Sequence, residues 1–384
     1  MKIVADENIG LASEAFSQFG DVRLIPGRTI SRAELQDADA LVVRSITRVD
    51  SELLEGTSVG FVGTATIGTD HIDFDYLEEH NIAFVDAAGG GARSVAEYVV
   101  AALLTLREHG LTRIEDDQIA IVGVGAIGTM AAEFARILGM KVIEHDPPRA
   151  ENEPEFTSAS LYQVFASDII LLAVPLTREG KYATYHLVDY DFLRSMKPDS
   201  ILINIARGGV VTSDALRETL ERDELRTAVL DVWETEPEVP VDLLEKCVLA
   251  TPHIAGYSQD GKLKGTEMMA EGLARFTGVL NQWSVKSSLP GIAGRVDVEG
   301  LDRLGALEKA VRAAYDIQKE TFRFREIFSL SPEERKERFD LFRKGYQVRR
   351  EFTAWSVVSS EDHATLESLK GLGFAVEQGM SRLP

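Results

Sequence analysis

The feature that most constrains the fold of this chain is a glycine-rich turn between an apolar segment and a helix. The turn Gly123–Gly128 directly follows the predicted strand Gln118–Val122, and the predicted helix Ala126–Leu138 begins inside it. A glycine string of this kind is weak evidence alone, but a strand before it and a helix after it are typical of a dinucleotide-binding βαβ unit. The sequence therefore predicts such a unit in the middle of the chain.

The residues of this turn have distinct physical roles. Gly123 permits the tight turn, Gly125 lets the backbone approach a pyrophosphate, and Gly128 lets the helix pack closely on the strand. The backbone amides at the start of the helix, at Ala126 and Ile127, face the phosphates, and the helix dipole favours their negative charge. We predict that these five residues bind the cofactor.

An acidic residue at the end of the next strand indicates which dinucleotide is bound. Asp146 closes the segment Val142–Asp146, at about the separation from the glycines that is expected of the acid that binds the ribose hydroxyls. A carboxylate there repels a 2′-phosphate, so the pattern favours NAD over NADP. The alternative is a solvated aspartate at the end of a strand.

Strands and helices alternate on both sides of this unit, which predicts an α/β protein. Strands flanked by helices favour a doubly wound parallel sheet of the Rossmann type, and the shorter N-terminal alternation favours a flavodoxin-like domain. The remaining predicted strands are Lys2–Ala5, Ala40–Arg44, Val59–Gly63, Lys141–Glu144, Asp168–Val174, Ser200–Ile205, Thr227–Val232 and Cys247–Thr251. The main predicted helices outside the unit are Asn8–Phe19, Asp73–His80 and Asp260–Leu280.

The length of 384 residues suggests two or three domains. We assign residues 1–92 to a substrate (lid) domain, with part of 260–290 as a candidate addition to it. Residues 93–286 form the predicted NAD-binding domain, and residues 287–384 form a small α+β C-terminal domain. The successive glycines Gly89–Gly91 predict a hinge after the first domain.

Two capping-box patterns predict helix starts. Ser94 with Glu97 precedes the predicted helix Val95–Leu106, and Ser331 with Glu334 opens a helix in the tail. A capping box satisfies two backbone amides at the first turn of a helix, so both patterns are local predictions.

The tail is predicted to be a small α+β unit that carries one apolar helical face. Phe339, Phe342 and Tyr346 fall on that face, which fits either a dimer interface or the core of the domain itself. The other predicted elements of the tail are the helices Leu301–Ile317 and Asp362–Lys370 and the strands Thr353–Val358 and Phe374–Glu377.

Composition excludes several classes of protein. The net charge of −21 argues against nucleic-acid binding, which needs a basic face, and it disfavours a membrane surface. Cys247 is the single cysteine, so no intrachain disulfide can form, and a cytoplasmic location is expected. The segment Met1–Asp6 reads as a strand rather than a signal peptide. No metal site is predicted.

Three chemically active residues each follow a predicted strand of the same sheet. They are Arg207, Glu236 and His253, and Asp231 ends the strand before Glu236. Ligands of open α/β sheets bind at the carboxyl ends of the strands. An arginine there can bind a carboxylate through two hydrogen bonds, and a histidine beside a carboxylate can accept a proton near neutral pH. Taken singly, the three fit a surface arginine, a loop charge and a structural histidine.

These residues, with several segments around them, resemble the D-isomer-specific 2-hydroxyacid dehydrogenase family. The segments that carry the resemblance are Val4–Asn8, Val43–Thr47, Phe61–His71, Asp146–Ala150, Leu230–Glu234, Thr251–Tyr257 and Arg349–Glu351. The catalytic motifs are shared by the wider family, whereas the N-terminal segments, the Asp-Pro-Pro-Arg-Ala string and the tail motif point to a narrower group. The match spans nearly the whole chain.

The resemblance implies roles for the strand-end residues. Arg207 orients the substrate carboxylate, His253 removes the proton of the C2 hydroxyl, and Glu236 pairs with His253. Asp231 lies near the nicotinamide carboxamide. Further implied cofactor contacts are Val174, Ile205, Ala206 and Gly256; at Val174 the narrower group has a hydroxyl residue.

The resemblance also implies substrate contacts at Ser45, Thr66 and Tyr257. A phosphate dianion in a cleft needs donors, so we add Arg44 and Arg349 as candidate phosphate ligands, with surface salt bridges as the alternative. A homodimer through the C-terminal domain is implied as well.

The sequence thus predicts an NAD-dependent enzyme that oxidises a phosphorylated 2-hydroxy acid. Two alternatives remain open. One is a different D-2-hydroxyacid dehydrogenase, such as one that acts on 3-phosphoglycerate. The other is a non-catalytic, NAD-sensing protein of the corepressor type, because corepressors share this fold.

Overall fold

The computed structural model describes residues 1–289, 291–346, 349–359 and 362–378. The strands in these ranges are β1 (Lys2–Asp6), β2 (Asp21–Ile25), β3 (Ala40–Val43), β4 (Phe61–Thr64), β5 (Ala83–Asp86), β6 (Gln118–Val122), β7 (Lys141–His145), β8 (Ile169–Leu172), β9 (Ile201–Asn204), β10 (Thr227–Leu230), β11 (Leu249–Ala250), β12 (Gly294–Asp297), β13 (Trp355–Ser359) and β14 (Ala375–Gln378).

The helices in the same ranges are α1 (Ala12–Phe16), α2 (Ser51–Leu54), α3 (Phe74–Glu79), α4 (Ala92–Glu108), α5 (Ala126–Leu138), α6 (Pro147–Asn152), α7 (Leu161–Phe165), α8 (Tyr190–Ser195), α9 (Ser213–Glu221), α10 (Val241–Lys246), α11 (Gln259–Thr277), α12 (Val285–Ser288), α13 (Arg303–Ala314), α14 (Ile317–Phe324), α15 (Pro332–Lys344) and α16 (His363–Leu372). Short 3-10 turns lie at Gly27–Thr29, Arg32–Leu35, Gly208–Val210, Arg325–Ser329 and Phe352–Ala354. Among the described residues, no helix is long and apolar enough to cross a bilayer.

The chain divides into two compact units: residues 1–93 with 257–291, and residues 94–256 with 292–384. The segment 257–291, part of which was a candidate addition to the first domain, belongs to the first unit. The C-terminal region, predicted as a domain of its own, lies in the same compact unit as the dinucleotide-binding part.

The first unit contains a five-stranded parallel sheet in the order β2-β1-β3-β4-β5. This is the flavodoxin-like order that the sequence predicts. All four residues of β3 are apolar, and successive side chains point to opposite faces of the sheet. Ala40 and Val42 pack with Met269 of α11 on one face, and Leu41 and Val43 pack into a second cluster on the other. Both faces are therefore covered, as a parallel sheet requires.

The second unit contains a six-stranded parallel sheet in the order β11-β10-β9-β8-β6-β7. The chain runs from β6 to β7 at one edge and then crosses to β8 on the opposite side of β6. Ligands bind outside the carboxyl ends of the strands at such a reversal. Ile119 and Ile121 of β6 face one apolar cluster, and Ala120 and Val122 face the other. The predicted Rossmann-type fold is confirmed.

The C-terminal region adds a three-stranded parallel sheet, β12-β13-β14, to the second unit. Its helices pack on the dinucleotide-binding part. The guanidinium of Arg303, the first residue of α13, donates hydrogen bonds to the carbonyls of Ile137 and Leu138 at 3.2 and 2.9 Å, which satisfies the open carbonyls at the end of α5.

The apolar face of α15 is covered by its own chain. Phe339 and Tyr346 are buried, and the ring of Phe324 lies 6.0 Å from that of Phe339 and 5.9 Å from that of Phe342. Of the two explanations for this face, the structure supports the internal core.

Local sequence patterns were partly misleading. The capping box at Ser331 and Glu334 is present, but the one at Ser94 and Glu97 is not, because α4 begins at Ala92, before Ser94. The edge strands β2 and β5 and the C-terminal strand β12 were missed. The predicted helix Asn8–Phe19 is confined to Ala12–Phe16.

Candidate active site

The glycine turn has the geometry that a bound pyrophosphate needs. Gly123 has a φ of +91°, and a Cβ there would lie 2.8 Å from the backbone of Ala173. A Cβ on Gly128 would overlap the carbonyl oxygen of Gly123, so α5 packs against the turn only because that position is bare. A Cβ on Gly125 would meet nothing within 4 Å, which leaves open space next to the first turn of α5. The turn therefore fits a dinucleotide.

Asp146 lies directly beside this turn. One carboxylate oxygen accepts the backbone amide of Val124 at 2.8 Å, and the other accepts the amide of Arg149 at the start of α6 at 3.0 Å. The Arg149 guanidinium also donates to the carbonyl of Val124 at 2.9 Å. The acid and the glycine turn are thus joined at the carboxyl edge of β6 and β7, where a ribose would follow the pyrophosphate.

Apolar residues line the carboxyl edge of the sheet next to the glycine turn, and we call Val174, Ile205 and Ala206 the apolar wall. Ile205 and Ala206 are buried in two different apolar clusters, and Val174, after β8, packs against the cluster that contains Ala206. Sequence reasoning missed Asn204, whose side chain accepts the amide of Ala206 at 3.1 Å and donates to the carbonyl of Arg207 at 3.2 Å. The only sequence signal for it is a polar residue that ends an apolar strand.

His253 and Glu236 form a direct pair. Nδ1 of His253 lies 2.9 Å from Oε2 of Glu236, and Oε1 of Glu236 accepts the backbone amide of Trp233 at 2.9 Å. Burial acts to raise the pKa of Glu236, but attraction to His253 and these hydrogen bonds outweigh it, so the pKa lies below its ordinary value. Glu236 is therefore the ionised partner, which only accepts hydrogen bonds, so Nδ1 of His253 carries the hydrogen of this bond.

The loop that carries His253 is held by Asp231. The carboxylate of Asp231 accepts the amides of Ile254 and Ala255 at 2.8 and 3.0 Å and the hydroxyl of Thr251 at 2.6 Å. Burial raises the pKa of Asp231, and His253 acts in the opposite direction. His253 itself has a φ of +57°, a left-handed conformation that costs a non-glycine residue about 1–2 kcal/mol. The strain lies in the backbone, and the hydrogen bonds of Asp231 and Glu236 hold the loop and the imidazole in place.

Arg207 enters the same edge from β9. It precedes the turn Gly208–Val210, and its guanidinium donates to the carbonyl of Ala206 at 2.8 Å. A Cβ on Gly208 would overlap the backbone of Trp233, so the loops after β9 and β10 approach as closely as backbones can. Because β9, β10 and β11 are adjacent parallel strands, Arg207, Glu236 and His253 all lie at one edge.

A second histidine–glutamate pair supports this edge and was not found from the sequence. Nε2 of His186 lies 2.6 Å from Oε1 of Glu234, whose other oxygen accepts the amide of Ser213 at 2.8 Å. The amide of His186 also donates to the carbonyl of Gly209 at 2.8 Å. These bonds hold the loop that follows Arg207.

In the first unit, the predicted phosphate ligand Arg44 is oriented by a buried carboxylate. Its Nε donates to Oδ2 of Asp6 at 3.0 Å, and Asp6 is fully buried and also accepts the amide of Asn8 at 2.8 Å. Ser45 beside it is exposed. Arg44 is thus a partly exposed guanidinium with a fixed orientation at the end of β3.

The two other predicted substrate contacts also lie in the first unit. The hydroxyl of Thr66 is 2.8 Å from that of Thr64, which lies 3.0 Å from Nε2 of His71. Tyr257 is half-buried, and the Lys262 ammonium lies 4.4 Å from its ring centroid.

Arg349 does not occupy a surface position. Its side chain is 7% exposed, and its guanidinium binds the fully buried Glu97 at 2.5 Å and the carbonyl of Ser94 at 2.9 Å. The sequence-based choices for this residue, a phosphate ligand or a surface salt bridge, both assumed solvent access. Burial of the ion pair inside the second unit removes the basis for either choice.

Comparison with known proteins agrees with this geometry. Residues 91–255 match the family model described as "D-isomer specific 2-hydroxyacid dehydrogenase, NAD binding domain", and residues 294–373 match a domain of unknown function, DUF3410. Erythronate-4-phosphate dehydrogenase of Hahella chejuensis is 40% identical over 377 residues, which cover 97% of this chain and 99% of that protein. The enzyme of the same name from Pseudomonas entomophila is 44% identical over 361 residues, with 93% and 94% coverage.

Solved structures show the same fold. D-lactate dehydrogenase of Aquifex aeolicus, complexed with NAD and lactic acid, superposes with a TM-score of 0.61 at 25% identity, covering 75% of this chain and 98% of that one. NAD-dependent formate dehydrogenase of Staphylococcus aureus, in complex with NAD, gives 0.60 at 25% identity, with 74% and 98% coverage.

The fold, the glycine turn and the strand-end residues define an NAD-dependent oxidoreductase. The resemblance predicted from the sequence is confirmed, and so is NAD as the cofactor. Within the D-2-hydroxyacid dehydrogenases, the chain belongs to the family of erythronate-4-phosphate dehydrogenases.

Proposed function

We propose that this enzyme oxidises 4-phospho-D-erythronate at C2, giving (R)-3-hydroxy-2-oxo-4-phosphobutanoate, in the synthesis of pyridoxal phosphate (vitamin B6). The observation that carries the proposal is the 2.9 Å pair of His253 and Glu236 at the carboxyl edge of the dinucleotide-binding sheet. The names of relatives that match almost the full length of the chain support this substrate.

The proposed mechanism uses a proton acceptor, its ionised partner and an anion clamp. Because Nδ1 of His253 is directed to Glu236, Nε2 is the nitrogen that accepts the proton of the C2 hydroxyl. Glu236 stabilises the imidazolium that results, and Arg207 binds the substrate carboxylate. The glycine turn, Asp146 and the apolar wall would hold NAD, which would supply the hydride acceptor for C2.

Recognition of the phosphate is assigned to Arg44. Its guanidinium is partly exposed and already held by Asp6, so little side-chain freedom is lost when an anion binds. Ser45, Thr66 and Tyr257 are proposed as further substrate contacts. Arg349 is left out of this set because Glu97 occupies its guanidinium.

A homodimer through the C-terminal region is part of the proposal, and α14 and α15 carry the surface for it. Phe322 is 75% exposed and Leu341 is 56% exposed, whereas Phe339 and Tyr346 are buried. We expect the variant Phe322→Ser with Leu341→Ser to elute as a monomer in light-scattering chromatography. Tyr162→Ser, at a site that is 83% exposed on α7, is the matched control and should leave the mass unchanged.

A cytoplasmic location, where NAD is available, is also proposed.

Turnover of two phosphorylated acids with NAD tests the substrate. We expect kcat/KM for 4-phospho-D-erythronate to exceed that for D-3-phosphoglycerate, and His253→Asn to reduce kcat by about 10²–10⁴-fold for the preferred acid. Arg44→Met should raise KM while NAD still binds normally. An equal or higher kcat/KM for 3-phosphoglycerate would replace the proposed substrate, and an active His253→Asn enzyme would reject the mechanism.

A further inference from the structure

Two consecutive residues of α4 have polar partners in different parts of the second unit. The Tyr98 hydroxyl lies 2.8 Å from Oγ1 of Thr251, which donates to Oδ1 of Asp231 at 2.6 Å. Glu97, the residue before it, binds the C-terminal region through Arg349. A fully buried tyrosine hydroxyl needs a hydrogen-bond partner, and Tyr98 finds it two residues before His253.

The direction of the hydrogen-bond chain is fixed by its end. The Asp231 carboxyl group accepts the amides of Ile254 and Ala255, and the Thr251 hydroxyl donates to its Oδ1, so the Thr251 oxygen is left to accept from Tyr98. Burial raises the pKa of Tyr98 well above its usual value, so this hydroxyl keeps its proton. Hydrogen bonds in series polarise one another in a buried environment of low dielectric constant.

The same carboxylate organises the loop after His253. Asp231 accepts the amides of Ile254 and Ala255, the two residues that follow the strained His253 backbone. A change in the orientation of Asp231 therefore moves the segment that fixes the imidazole. A shift of about 1 Å at a reacting group is enough to reduce turnover by up to about 10²-fold.

On the other side of α4, the C-terminal region fixes Glu97. Oε2 of Glu97 binds Arg349 at 2.5 Å, and Oε1 accepts the amide of Phe352 at 2.9 Å. The Arg349 guanidinium also lies 4.2 Å from the ring centroid of Tyr315, whose ring is 6.1 Å from that of Tyr98. The C-terminal region thus contacts both the carboxylate of Glu97 and the aromatic cluster around Tyr98.

We propose that Tyr98 is a positioning residue for the dehydrogenase reaction, and that the buried Glu97–Arg349 pair couples the C-terminal region to the catalytic loop through it. The inference rests on the proposed function only for the role of His253. The match to the NAD-binding family model ends at residue 255, and residues 294–373 match a domain of unknown function, so this coupling gives the C-terminal region a task in the active site.

Tyr98→Phe tests the first part, and Tyr315→Phe is the matched control because it removes a buried hydroxyl of the same aromatic cluster outside the Thr251 chain. In Tyr98→Phe we expect the amides of Ile254 and Ala255 to exchange hydrogen at least tenfold faster and kcat to fall about tenfold. Amides elsewhere, such as those of β8, should keep their rates. Tyr315→Phe should leave the two amides and kcat unchanged.

Substitution of Thr251 separates positioning from general stability. Thr251→Ser keeps the hydroxyl and should retain kcat, the exchange rates of both amides and the NADH dissociation constant. Thr251→Val should reproduce the losses of Tyr98→Phe. Equal behaviour of the Ser and Val variants, or faster exchange throughout the molecule in Tyr98→Phe with unchanged kcat, would overturn the proposal.

The coupling to the C-terminal region is tested with both charges removed, because either single change leaves a buried charge unpaired. The variant Glu97→Gln with Arg349→Met should show the exchange and kcat changes of Tyr98→Phe, and adding Tyr98→Phe to it should change neither further. If the losses of the double variant and of Tyr98→Phe simply add when all three substitutions are combined, the coupling is refuted. Hydrogen exchange and NADH binding need no substrate, so these tests stand even if another 2-hydroxy acid proves to be the substrate.

Discussion

Two glycines of the glycine turn provide the sharpest test of the site, because substitution by alanine should affect a different property of the protein at each. Gly125 has an extended backbone with a φ of −76°, and a methyl group there meets no protein atom within 4 Å. Gly128 faces the carbonyl of Gly123, and a Cβ would overlap its oxygen and lie 3.0 Å from its carbon. We therefore expect Gly125→Ala to affect binding and Gly128→Ala to affect folding.

The magnitudes follow from these surroundings. At Gly128, α5 must move away from β6, and overpacking of this kind costs about 1–3 kcal/mol. At Gly125, alanine restricts the unfolded chain and should leave the folded state unstrained, so stability is unchanged or higher by about 0.4–1 kcal/mol. The methyl group would occupy the space that we propose for the pyrophosphate, so the NADH dissociation constant should rise at least tenfold, about 1.4 kcal/mol.

Thermal unfolding and fluorescence titration with NADH measure the two quantities on the same samples. The expected result for Gly125→Ala is a wild-type melting temperature with weak binding. The expected result for Gly128→Ala is a lower melting temperature. If Gly125→Ala binds NADH as tightly as wild type, the cofactor does not pass over this turn, and the assignment of the site is wrong.

Three further predictions follow from single residues. Glu236→Gln should lower kcat because His253 loses its ionised partner. Since the folded pKa of Glu236 is depressed, its contribution to stability is complete above about pH 4.5 and disappears as the pH falls through the folded pKa; chemical unfolding of variant and wild type should therefore converge in acid. Asp146→Asn should weaken the preference for NAD over NADP, measured as a ratio of kcat/KM values. Burial raises the pKa of Cys247 to about 12, so this thiol should resist a thiol reagent at pH 8 until the protein is denatured.

The sequence predicts best those strands whose residues are buried on both faces of a sheet, because a short apolar run is enough to identify them. The strands β3, β6, β8 and β9 are apolar on both faces, so their existence and the parallel sheets followed from the pattern. The edge strands β2 and β5 are mostly exposed or half-buried, and they carry too weak a signal for the same reasoning.

Side chains with distant partners could not be predicted from the sequence. Ser94 and Glu97 have the spacing of a capping box, but their partners are Glu351 and Arg349, more than 250 residues away. A local sequence pattern does not show whether a carboxylate binds a nearby backbone amide or a distant side chain. The His186–Glu234 pair was missed for the same reason, because neither residue has a signal of its own.

The left-handed backbone at His253 has a consequence for engineering. Glycine or asparagine adopts this conformation with less strain than histidine, so screening for heat tolerance alone would reward loss of the residue that we propose as the proton acceptor. Stabilised versions of this enzyme should therefore be sought with position 253 held constant, or with a second screen that rejects inactive survivors.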